Sequence, residues 1–182
     1  MRNALVAGSA LIAVLAVFAG IKWLPRGKAA DSDALCWGAL SPAQAKPLLS
    51  NGKPATATES AADAHEATCD VRTGDDVRDI QFVLTLHDGM QGSVTPPDGI
   101  KRLSGSRAGW ATQAEGRIRL THPCAYALHR DGTGEVDLIL TTTIQVRKHY
   151  NWKSTTLVPR VSQVLRDAAE GIERHHKCGS MK

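Results

Sequence analysis

The sequence predicts an α+β domain, one antiparallel sheet with helices packed on one face, set behind an N-terminal transmembrane helix. Three observations carry this expectation. An apolar run without charge fills residues 4–21, the middle of the chain alternates apolar and polar residues as strands do, and the last stretch repeats apolar residues at three and four as a helix does.

Behind Met1-Arg2-Asn3, the run from Ala4 to Ile21 is extended past Lys22 by Trp23 and Leu24, to roughly the twenty residues that cross a bilayer core. Residues 1–24 are expected to anchor the chain and residues 25–33 to form a polar hinge. Val17-Phe18-Ala19 and Gly27-Lys28-Ala29 would serve as cleavage exits and would leave a secreted domain, but the run is longer than a usual signal core. Cys36 follows Leu35, not a small residue, and lies well beyond the run, which argues against lipid attachment. Lys22, Arg26 and Lys28 outnumber Arg2 and the amino terminus, and by the positive-inside rule alone the domain would stay in the cytosol. Four cysteines at wide spacings point the other way, to an oxidising compartment. The cysteines outweigh a difference of one charge, so the domain is expected to be extracytoplasmic on a single-pass membrane protein.

The first thirty residues also account for the basic balance. They hold four of the 22 Lys and Arg and none of the 18 Asp and Glu, which leaves the remainder formally neutral. A nucleic-acid binder needs a basic face, so none is expected as a partner. Arg117, Arg119, Arg147 and Lys148 would form a local patch if their strands paired, though a solvated sheet face is the plainer reading.

Residues 34–182 are the size of one ordinary domain. Ser41-Pro42-Ala43-Gln44 offers an N-cap serine, proline at the first helical position and glutamine at the capping-box position, so a helix is expected to about Ser50, where Asn51-Gly52 stops it. Lys53 to Thr68 has no period and reads as a loop. Ala67 to Arg72 is a short strand candidate, and Asp79 to His87 alternates Ile80, Phe82, Leu84 and Leu86 on one side. Asp88-Gly89 then turns the chain, in a hairpin reaching Val94, and Thr95-Pro-Pro-Asp-Gly stops it. A strand is expected between Trp110 and Thr121, and Glu135 to Lys148 alternates clearly enough to be another, with Asp131-Gly132-Thr133-Gly134 as the turn that pairs them antiparallel. The last element is a helix from Ser154 or Thr155 to Lys177. Leu157, Val161, Val164, Leu165, Ala168 and Ile172 form its apolar stripe, which must cover the sheet.

Cys36 precedes the first helix, Cys69 lies in the first strand, Cys124 follows the Trp110 strand and Cys178 ends the long helix. Of the three possible pairings, the sequential one, Cys36 with Cys69 and Cys124 with Cys178, would staple one helix to the sheet in each half. Loops of these lengths predict about 4 kcal/mol per bridge from chain entropy.

Cys36-Trp37-Gly38 before a short helix, Cys69 within Ala67-Thr68-Cys69-Asp70-Val71, and Cys178-Gly179 after the terminal helix together resemble a group of membrane- or lipid-anchored extracytoplasmic domains of actinobacteria. The resemblance spans most of residues 33–179. It implies a high-GC source, two structural disulfides and a domain without known catalysis, and it carries over no functional site. The chain departs from it in having no lipobox.

Catalytic and metal chemistry find little support in the sequence. His175-His176-Lys177-Cys178 offers imidazole and thiolate, which suit zinc, but adjacent histidines point to different sides of a helix and no second cluster completes a tetrahedron. No metal or cofactor is expected. Ser93, Ser104 and Ser106 lack a nucleophile elbow, Cys124 with His122 or His129 reads as a structural cysteine, and Asp75, Asp76 and Asp79 read as turn chemistry. Trp37, Trp110 and Trp152 read as core, but one exposed tryptophan would mark an interface, and Tyr150, Asn151 and Trp152, in the loop before the last helix, are the candidate contact surface. The function expected is a non-catalytic, membrane-anchored module that binds a protein, an envelope polymer or a small ligand. The alternative is an envelope enzyme such as a metal-dependent hydrolase with a site that leaves no motif.

Overall fold

The computed structural model describes residues 34–49, 54–61, 65–73, 78–88, 94–100, 102–103, 107–128, 134–149, 151 and 155–179. The expected anchor and hinge lie outside them, and no helix among the described residues is long and apolar enough to cross a membrane.

The chain forms α1 (Pro42–Ala45), a 3-10 turn (Lys46–Leu48), β1 (Ala55–Ala61), β2 (Glu66–Thr73), β3 (Arg78–Asp88), β4 (Gly109–Ala111), β5 (Glu115–Arg119), α2 (His122–Leu128), β6 (Gly134–Thr142), α3 (Ile144–His149) and α4 (Leu157–His175). The six strands make one antiparallel sheet in the order β1-β2-β3-β6-β5-β4, with helices packed on it. The α+β class is therefore as the sequence predicts.

Register explains how one face becomes the core. Directly opposed residues of antiparallel strands point to the same side, and one row runs Glu59, Cys69, Phe82, Leu140, Gly116, Ala111 across all six strands. Cys69, Phe82 and Leu140 are fully buried. This row faces α4, because a Cβ on Gly116 would stand 2.9 Å from a methyl of Leu165. All six residues of the predicted stripe on α4 are buried. Alternate residues face the other side, where Ser60, Thr68, Val83, Ile139, Arg117 and Trp110 form the neighbouring row.

Several expectations are corrected. The stretch read as a loop from Lys53 contains β1, an edge strand whose residues are small or polar because it contributes little to the core. Trp110 to Thr121 is two strands, folded at Thr112, whose hydroxyl accepts the Ala114 and Glu115 N–H groups at 3.1 and 3.0 Å. The last strand ends at Thr142, where the Thr143 N–H donates to the Asp79 carbonyl at 3.0 Å, and Ile144–His149 is helical. Arg147 and Lys148 therefore leave the sheet. Strands β5 and β6 do pair antiparallel, but α2 stands between them in the chain. The hairpin expected at Asp88-Gly89 falls mostly outside the described residues.

At the start of the domain the capping box at Ser41 is formed as predicted. Before it, Cys36, Trp37 and Gly38 are all left-handed, with φ of 51°, 57° and 75°. Left-handed backbone costs an L-residue about 1–2 kcal/mol, and the surroundings hold it. Leu35 and Leu40 close the turn as a two-residue bridge, the Trp37 N–H donates to the Glu59 carboxylate at 2.6 Å, and the His175 ring lies against Gly38.

Candidate functional site: a cleft beside the terminal helix

The four cysteines form the two sequential disulfides, Cys36–Cys69 and Cys124–Cys178. The first ties the left-handed turn to β2. Because Cys124 lies in α2, the second joins that helix to the end of α4, not a helix to a strand. Around it, the Thr121 hydroxyl donates to the Cys178 carbonyl at 2.7 Å, and buried Glu173 accepts from Arg107 at 2.5 Å and from the Thr121 N–H at 3.2 Å. Cys178 is thus oxidised and is no thiolate ligand. His175 and His176 meet edge to face with ring centres 5.0 Å apart, and the described residues hold no group of three or more metal-ligating side chains. Burial, and then His175, push the His176 imidazole below its ordinary value.

Of the expected contact surface, Asn151 is exposed at φ 52°, while Tyr150 and Trp152 lie outside the described residues. Asp75, Asp76, Ser93, Ser104, Ser106 and His129 lie outside them too. Asp79 is buried and accepts a hydrogen bond from the Thr73 hydroxyl. Trp37 is buried in the core, as expected, whereas Trp110 is buried on the other face of the sheet, outside that core.

The basic patch takes a different form. Arg117 and Arg119 stand on the outer face of β5 and both bind Asp137 of β6, a carboxylate with no exposure. Arg117 donates through Nε at 3.0 Å and Nη2 at 2.5 Å, and Arg119 through Nε at 2.9 Å and Nη2 at 3.3 Å. His87 of β3 closes the cluster, its Nε2 3.3 Å from the same carboxylate, and Arg119 also pairs with Glu135. The hydrogen bond to Asp137 is the main cause that holds the Arg119 guanidinium above its ordinary value, against partial burial. These arginines are committed to binding neighbouring strands together.

A cleft of about 850 Å³ lies between three segments. Its floor is the β4–β5 turn, Ala111 to Ala114. The turn is fixed by Thr142, whose hydroxyl donates to the Gln113 and Ala114 carbonyls at 2.9 and 3.2 Å and whose N–H donates to Ala114 at 2.8 Å. One wall is the first half of α4, with Val158, Pro159, Ser162 and Arg166. The other holds Gly99, Ile100, Arg102 and Leu103; it begins with the Pro97–Ile100 turn and is attached to β4 where the Leu103 N–H donates to the Gly109 carbonyl at 2.8 Å. Sequence reasoning missed this site, because its walls are three separate segments with no motif in any of them. Arg166, next to Leu165 of the apolar stripe, gave no signal by itself.

Compared with protein-family models, curated proteins and solved structures, the chain matches none of them.

Proposed function

We propose that this chain is a non-catalytic binding module, held at the membrane by residues 1–24 and displayed on the extracytoplasmic side, with the cleft beside α4 as its ligand site. The observation that carries the reading is how the cleft's polar groups are used. Both of its hydroxyls are turned back to the backbone: Ser162 donates to the Val158 carbonyl at 2.8 Å and Thr112 to the Glu115 carbonyl at 3.0 Å. Neither is directed at a base, as a nucleophile must be. The rest of the lining is largely aliphatic with a few polar groups, the composition of a site that holds a small molecule. The oxidised cysteines support the location, since such bridges persist where the surroundings are oxidising. The actinobacterial resemblance of Cys36-Trp37-Gly38, Cys69 and Cys178 agrees with it.

Location is tested by labelling the full-length chain in its host with a membrane-impermeant maleimide reagent heavy enough to shift the band. Labelling only after denaturation and reduction is expected. Thiols that react after denaturation alone would place the domain in a reducing compartment and end the proposal.

A further inference from the structure

The two edges of the sheet are treated differently by the fold. β4 is three residues long, and its outer side is met by the Arg102–Trp110 bridge. β1 is seven residues long and ends the sheet on the other side, so that among the described residues one side of its backbone pairs with β2 and the other side with no strand. Proteins ordinarily guard such an edge with lysine, proline or a bulge. Ala-Thr-Ala-Thr-Glu-Ser-Ala contains neither residue, its register with β2 runs unbroken from Ala55 to Ala61, and residues 58–61 are exposed. Its one charge, Glu59, already accepts the Trp37 N–H at 2.6 Å. A row of peptide groups left open in this way recruits an extended strand.

The order of residues in β1 selects its own copy as that strand. Antiparallel pairing about a two-fold axis through Thr58 sets Thr58 opposite Thr58, Ala57 opposite Glu59, Thr56 opposite Ser60 and Ala55 opposite Ala61. Opposed residues share a face. Hydroxyl then meets hydroxyl on the outer face, where Ser60 and Thr68 already pair at 2.6 Å, and such cross-strand pairs are favourable. On the helix side alanine meets alanine, and each Glu59 stands opposite a methyl group. Centring the axis on Glu59 would instead set two carboxylates face to face. Pro54, which has no N–H, ends the ladder next to Ala55. Beside this edge a cleft of about 700 Å³, bordered by Leu35, Pro42, Ala55 and Ala57, gives the incoming alanine side chains room.

We propose that two copies of this chain join edge to edge through β1, antiparallel about Thr58, so that their sheets become one. The interface is isologous, the same seven residues on each side. It leaves the cleft beside α4 open, because that cleft borders β4 and β5 at the far end of the sheet.

The test uses the full-length chain in detergent micelles, its protein mass taken from light scattering with the detergent contribution removed. The parent is expected to have the mass of two chains and to fall to that of one on dilution. T58K and T58E each place like charges face to face at an exposed position, which disfavours pairing, and each is expected to be a monomer. Mixed in equal amounts they set lysine opposite glutamate, and the dimer is expected to return. Thermal melts check that each variant has folded. Register is read by mild oxidation of cysteine variants. T58C is expected to cross-link with its own copy, whereas T56C and S60C, each about 13 Å from its own copy along the strand, are expected to cross-link only when co-expressed. A parent that is a monomer at every concentration overturns the inference, and hydrogen exchange at β1 then tells an open edge from one covered by another stretch of the same chain. A dimer that survives T58K and T58E is held by another surface and overturns it as well. So does a mixture of the two that stays monomeric, or T56C that cross-links with its own copy as readily as T58C.

Discussion

Gly171 of α4 and Ala39 of the left-handed turn meet backbone to backbone: a Cβ on Gly171 would stand 2.9 Å from the Ala39 Cα and overlap its carbonyl oxygen. Gly171 looks out of place by helix propensity, since alanine there would favour the helix by about 1 kcal/mol. Overpacking costs about 1–3 kcal/mol, and here the obstacle is main chain that cannot rotate away. The G171A variant is therefore expected to lose about 2 kcal/mol in urea unfolding, the upper end of that cost less the gain in propensity. G179A is the control, because a Cβ there meets Glu173 at an ordinary 3.6 Å, and it is expected to be neutral. A G171A variant as stable as the parent would mean that α4 and the turn are not in contact.

The Asp137 cluster makes a second prediction. The carboxylate is fully buried while its partners Arg117 and Arg119 are partly exposed. Removing the buried member strands two guanidiniums, and breaking such a pair costs about 3–5 kcal/mol. D137N is expected to lose about 3 kcal/mol, near the low end because its amide oxygen keeps one acceptor. R117M is expected to lose about 1 kcal/mol, since Arg119 continues to hold the carboxylate and surface pairs contribute little. Chemical denaturation of both variants tests the order. A larger loss in R117M than in D137N would contradict it.

The two disulfides are expected to act on different parts of the domain. By chain entropy each contributes about 4 kcal/mol, so C36A/C69A and C124A/C178A are expected to lower stability to a similar degree. They differ locally. Without Cys36–Cys69 the left-handed residues Cys36 and Trp37 lose one of their restraints, and hydrogen exchange is expected to quicken at the Leu35 and Leu40 amides that close that turn. In C124A/C178A the quickening is expected at Thr121 and Cys178, whose amides both bond to Glu173. Equal exchange at both places in both variants would show that the bridges act only through the unfolded chain.

The elements legible in the sequence are those whose pattern is set by a single packed face. The stripe of α4 and the alternation of β3 could be read directly, because one side of each meets the core and the other meets water. The edge strand β1, Ala-Thr-Ala-Thr-Glu-Ser-Ala, was not legible: it buries so little that no apolar period is imposed on it. α3 was misread for the opposite reason. Ile144 and Val146 continue the alternation of β6 by coincidence of spacing, and two apolar residues are too few to separate a period of two from one of 3.6. The strand ends where α3 begins, the Arg147 N–H donating to the Thr143 carbonyl at 3.2 Å, a local choice that two apolar residues do not announce. The cleft was illegible because only the tertiary fold brings its three segments together.

His176 supplies the pH dependence. Its Nε2 is buried without a hydrogen-bond partner among the described residues. Burial first, and His175 second, hold the imidazole below its ordinary value. The unfolded chain titrates near the ordinary value of about 6.5, and between that and the lower folded value it binds more protons than the native state does. Stability from this group is therefore complete above the unfolded value, falls as acidification carries the solution through that window, and declines no further once the folded value has been passed. H176Q has no proton to take up, so its urea midpoint is expected to change less between pH about 7.5 and about 5 than that of the parent. The readout is the difference between the two profiles, which removes every other titrating group from the comparison. A difference that stays constant across the window would mean that His176 titrates alike in the folded and unfolded chain, and that the end of α4 beside Cys178 is open to water.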